Sequence, residues 1–143
     1  YLLNSDDLNL ARKALDAAEK SLNKTVLLNS QFVLGFSLMI SHEYTEAVSQ
    51  LTTTLNLSEN YQDKVMQTRC CTYLSLAYRL MTNPILTREF ANKALALANE
   101  TNMDDYIAAA LANISWSYFC EESYQESAYF LKESFLRSTF KSL

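Results

Sequence analysis

Ile40-Ser41-His42-Glu43-Tyr44-Thr45-Glu46-Ala47 and Cys120-Glu121-Glu122-Ser123-Tyr124-Gln125-Glu126-Ser127 read as two copies of one helix–turn–helix junction. Each leaves an apolar segment, crosses a short polar turn and enters the next helix on Tyr. Each then reaches a small residue where two helices must touch. A third, stretched copy ends at Phe90-Ala91, and a half copy ends at Leu10-Ala11. The marker residues Ala11, Ala47, Ala91 and Ser127 lie 36, 44 and 36 residues apart. A period in the thirties or forties is the mark of stacked helical repeats. Such arrays usually bind other proteins rather than perform chemistry.

Composition agrees with an all-α chain. One Gly and one Pro in 143 residues are too few for the turns of an all-β or doubly wound protein. An apolar content of 49% is enough for a continuous core. The net charge of -4 leaves no basic stripe to neutralise phosphates, so neither nucleic acid nor an anionic membrane is the expected partner. No apolar run reaches the length of a membrane span. The three cysteines, two of them adjacent, do not make a disulfide framework, and a reducing cytoplasmic setting is expected. A chain that starts without Met and on a lone half repeat is expected to be a piece of a larger protein.

Seven helices can be read, at about 5–21, 25–41, 44–57, 62–81, 86–99, 104–120 and 124–138. Breaks fall at Ser58-Glu59-Asn60, Thr82-Asn83-Pro84 and Glu100-Thr101-Asn102. Asn83-Pro84 is the strongest stop, because a residue before Pro avoids the α region. The short turns between helices force consecutive helices to run antiparallel. This divides the single domain into a half repeat at 1–22 and helix pairs at 23–59, 60–100 and 101–143.

The pairs resemble the tetratricopeptide (TPR) family. Repeat one supplies Leu34-Gly35, Leu38, Tyr44, Ala47, Leu51 and Leu55. Repeat two supplies Tyr73, Leu76-Ala77 and Leu80, then an insertion around Pro84, then Ala91, Leu95 and Ala98. Repeat three supplies Leu111, Ile114-Ser115, Tyr118, Tyr124, Ser127, Leu131 and Phe135. The family's closing Pro is missing, and the repeats are longer than its standard. Long, degenerate repeats of this style are similar to those of large bacterial regulators. The resemblance implies a right-handed α-solenoid whose small residues, Gly35, Ala77 and Ser115, let paired helices approach.

The resemblance also implies that the first helix of each pair lines the inner face. Aligned on the small residues, that face carries Phe32, Phe36 and Met39, then Leu74, Tyr78 and Met81, then Ala112, Trp116 and Phe119. Such rows form an apolar ladder suited to a partner helix or peptide. The same ladder could equally be core, covered by neighbouring helices. The carboxylate-holding clamp of chaperone-binding relatives is not expected, since Asn29 and Asn113 lack a Lys or Arg beside them. The expected function is a protein-interaction module. The other reading is a sensor domain that binds a small ligand or signal peptide and shifts a neighbouring effector.

Catalysis has little to work with. His42 is the only His and falls in a turn. Cys70-Cys71 lacks further ligands at metal-binding spacing, and Glu121-Glu122 reads as solvated charge. Neither enzyme activity, cofactor nor metal is expected. The last helix carries Phe135, Leu136 and Phe140 with no polar cap after them, so self-association through the terminal helices is expected.

Overall fold

The computed structural model describes residues 5–139. Among them lie seven α-helices and no strand: α1 Ser5–Lys20, α2 Lys24–Ile40, α3 Tyr44–Asn60, α4 Lys64–Leu80, α5 Pro84–Thr101, α6 Asp104–Cys120 and α7 Tyr124–Thr139. Phe140 lies outside the described residues. The chain divides at Asp63 and Lys64 into two compact units. In the first, α1 packs on α2 and α2 on α3. In the second, α4 packs on α5, α5 on α6 and α6 on α7, and α4 also reaches α6. Each unit is therefore all-α and solenoid-like, every helix in it packing on its neighbour in sequence.

The repeat is more regular than the sequence reading has it. First helices begin at residues 24, 64 and 104, and second helices at 44, 84 and 124. The period is thus 40 residues throughout, with no insertion at Pro84. Pro84 is instead the first residue of α5, where its missing N–H costs nothing. Asn83 caps that helix by accepting the Leu86 N–H at 3.1 Å. The expected breaks at 58–60 and 100–102 also shift, because α3 runs on to Asn60 and α5 to Thr101.

The turns explain the regularity. Leu22, His42, Gln62, Thr82, Asn102 and Glu122 all have positive φ, between 54° and 64°, and they fall 20 residues apart. None is Gly. A left-handed residue costs roughly 1–2 kcal/mol when it carries a Cβ. Hydrogen bonds of about 1 kcal/mol each offset this. At the first full turn the His42 N–H donates to the Met39 carbonyl at 3.1 Å, and the Glu43 N–H to Leu38 at 2.9 Å. The same pair recurs as Gln62 to Glu59 with Asp63 to Ser58, as Thr82 to Arg79 with Asn83 to Tyr78, and as Glu122 to Phe119 with Ser123 to Tyr118. These are the two bonds of a Schellman helix stop. The residue after each left-handed position also starts the next helix. Glu43, Asn83, Met103 and Ser123 accept the N–H of Ala47, Thr87, Ile107 and Ser127. A single residue separates stop from start, so within each unit the next helix folds back on the last.

The 40-residue period resets the helix contacts. The small position of the first helices is Gly35, Ser75 and Ser115, and Ala77 is not among them. The facing position is Ala47, Thr87 and Ser127, all buried. Ser75 Oγ donates to the Thr87 carbonyl at 2.9 Å, and Ser115 Oγ to the Ser127 carbonyl at 2.7 Å. Gly35 is needed for a steric reason: a Cβ there would lie 2.8 Å from Leu51 Cγ and Cδ2. Ala91 lies one helical turn beyond Thr87, at the position of Leu51. Tyr78 stacks on Phe90 and Tyr118 on Phe130, each pair 5.5 Å between ring centroids, one period apart.

Candidate functional site

In the second unit, α4 and α6 are the first helices of successive pairs, and an open groove of about 520 Å³ lies between them. Thr72, Tyr73, Leu76 and Arg79 line it from α4. Asp105, Tyr106, Ala109, Ala112 and Asn113 line it from α6. The volume falls in the range of ligand-binding clefts. Its cause is local: Ala109 and Ala112 are small where larger side chains would close the space. At the register of Ala112 the first pair carries Phe32.

The groove is apolar through its middle and polar at its ends. Leu76 and the two alanines form the apolar stretch, and Tyr73 and Tyr106 flank it. Burial pushes the Tyr73 hydroxyl above its ordinary pKa. Tyr106 adds to that rise and Arg69 opposes it. Tyr73 is therefore a neutral phenol at physiological pH, able to donate and accept a hydrogen bond. Arg79 is half-buried at one end. Its Nη1 donates to Asn113 Oδ1 at 3.1 Å, and its guanidinium lies 5.5 Å from the Trp116 ring centroid. The ring face and the amide fix the direction in which the cation points.

The expected ladder residues divide into several groups. In the first unit Phe32 and Phe36 are half-buried and Met39 is buried. In the second pair the expected row is displaced by two residues. Leu74 is fully buried core, at the register of Leu34 and Ile114. Tyr78 belongs to its own helix pair through Phe90. Met81 lies past the end of α4, at the register of Glu121. The positions that match Phe32, Phe36 and Met39 are Thr72, Leu76 and Arg79. In the third pair the alignment holds: Ala112 lines the groove, Trp116 carries Arg79, and Phe119 is 59% exposed and meets Tyr124 edge to face.

No protein-family model matches this chain, and no curated protein is significantly similar to it.

Thr72, Arg79, Asp105, Tyr106 and Ala109 are groove residues that sequence reasoning did not pick out, and Tyr73 and Leu76 it read as repeat-pattern residues rather than groove lining. The signal that finds them is the repeated pair of Leu or Ile before a small residue, at Leu34-Gly35, Leu74-Ser75 and Ile114-Ser115. Elsewhere the polar residues have structural roles. His42 Nδ1 lies 2.7 Å from the Tyr44 hydroxyl in an exposed turn. Cys70 and Cys71 are buried thiols, and Cys120 is exposed. Arg88 pairs with Glu121 and lies over the Tyr118 ring at 4.4 Å.

Proposed function

We propose that this chain is a TPR-like interaction module that binds a segment of another protein in the groove between α4 and α6. The observation that carries this is an open, largely apolar groove between the first helices of successive pairs, with two tyrosines as walls. Tyrosine offers large contact area at little conformational cost, which suits it to anchor a partner side chain. The groove is open rather than a closed polar pocket, which favours a protein segment over a small signalling ligand. It holds no nucleophile beside a base, so binding and not turnover is the chemistry it supports.

Ala112→Phe tests this directly. It places in the third pair the residue that the first pair carries at the same register, and it fills the space a ligand would use. Peptides are selected from a displayed library of random twelve-residue sequences and titrated by fluorescence polarisation. Ala112→Phe is expected to weaken them at least tenfold while helicity and melting stay near the parent. Unchanged affinity for every selected peptide would remove the groove as the site.

A further inference from the structure

From the unpaired charge at its end, we infer that the groove selects a segment with an aspartate or glutamate beside a large apolar residue. The acidic group sits at Arg79, and the apolar side chain sits between Tyr73, Leu76 and Tyr106. This rests on the groove being the binding site. Arg79 has no carboxylate partner among the described residues. Its described partners are an amide oxygen and an aromatic face, both neutral. Of the five N–H donors on a guanidinium, the Asn113 bond uses one. A half-buried, uncompensated cation in an apolar setting favours a carboxylate, whose fork matches the guanidinium in two parallel hydrogen bonds. Asn113 and Trp116 hold the arginine in place before the ligand arrives, so little side-chain freedom is lost on binding.

The apolar half of the motif follows from the same geometry. Ala109 and Ala112 open the floor beside Leu76, and a side chain entering there is walled by the tyrosine rings. Asp105 stands on α6 toward the opposite end from Asn113.

Parallel selections from the random twelve-residue library on the parent and on Arg79→Glu test the idea. Parent-selected peptides are expected to share Asp or Glu next to an aliphatic or aromatic residue. A selected peptide should lose at least tenfold in affinity on Arg79→Glu. Replacing its acidic residue by Lys should restore binding to that variant. Circular dichroism checks that the variant is folded, and Arg79→Gln, which keeps much of the stem, gives the same measurement if the reversal unfolds. Peptides that need the open groove, as Ala112→Phe shows, yet carry no acidic preference and ignore Arg79→Glu and Arg79→Gln, overturn the charge selection and leave the groove standing. Peptides indifferent to Ala112→Phe and Arg79→Glu alike, or no enrichment at all, overturn both.

Discussion

Helices α5 and α7 occupy the same place in successive repeats, yet they end with opposite surfaces. On α5, Ala91 and Ala98 are fully buried, and Ala98 joins Ile107 and Leu111 of α6 in one core cluster with Leu95 against it. The matching positions on α7 are Leu131, Phe135 and Ser138. Leu131 is 58% exposed and Phe135 is 66% exposed. The stripe on α7 is the more apolar of the two, and it is the one left in water. Burial of a second helix is therefore not written in its own sequence. It depends on a following first helix laid across it, as nearest-neighbour stacking in repeat proteins requires. The opposite faces match better: Ser134 Oγ donates to the Ala108 carbonyl at 2.8 Å, tying α7 to α6 on the pair side.

The largest effect should separate one register position in two settings. Leu51 on α3 is fully buried where Leu131 is exposed. Leu51→Ala should cost about 2–5 kcal/mol through lost transfer energy and the cavity left behind. Leu131→Ala should stay within about 0.5 kcal/mol, as exposed substitutions do. Urea unfolding of both variants measures the difference. A cost above about 1 kcal/mol for Leu131→Ala would mean that the α7 face is covered in solution. Concentration-dependent sedimentation, abolished by Leu131→Lys, would identify the cover as a second copy. Self-association of this kind is expected at high concentration, because an apolar face of this extent is rare on a monomer.

A smaller effect comes from the covered side. Ala91→Leu places on α5 the residue that α7 and α3 carry there. It should destabilise by about 1–3 kcal/mol, since the α5 site has no room for the added carbons. Gly35→Ala is its counterpart on α2. Alanine gains roughly 1 kcal/mol in helix propensity over glycine. The new Cβ meets Leu51 at its branch point, 2.8 Å away, so the side chain as a whole must move. The clash outweighs the propensity, and a net loss of stability is expected. A gain in melting temperature for either variant would show that the small-residue positions are permissive rather than filled.

These positions also show how far the sequence could be read. Seven helices, their pairing and the all-α class follow from apolar periodicity and the near absence of Gly and Pro. The period did not follow, because small residues occur both at the contact position and two or four residues beyond it. Ala77 and Ala91 stand near Ser75 and Thr87, and they look more like the Gly35 and Ala47 of the first pair. Choosing them slid the middle row by two residues and demanded an insertion that does not exist. The groove was lost with that slip, since its α4 wall is Thr72, Leu76 and Arg79 rather than Leu74, Tyr78 and Met81. The left-handed turns were hidden for a different reason. Leu22, Gln62, Thr82 and Glu122 have no special preference for positive φ, so the Schellman bonds impose what local sequence does not request. Asn102 and His42 are the residue types that take this conformation more readily.

The smallest effect concerns those turns, and it isolates what α5 and α7 share. Thr82 launches α5 and Glu122 launches α7, with φ of 55° and 60°. Both stop the preceding helix with the same two backbone hydrogen bonds. Glycine takes positive φ without the Cβ penalty, so Thr82→Gly should stabilise by about 1 kcal/mol. A β-branched residue is the worst placed there, so Glu122→Gly should gain less, about 0.5 kcal/mol. Asn102→Gly should change little. Thermal melts of the three variants give the order. If Thr82→Gly stabilises and Glu122→Gly does not, the two helices begin differently in solution, and the contrast between them starts at the turn. If both stabilise in this order, the turns are equivalent, and the whole difference between α5 and α7 lies in the face that α6 covers on one and leaves open on the other.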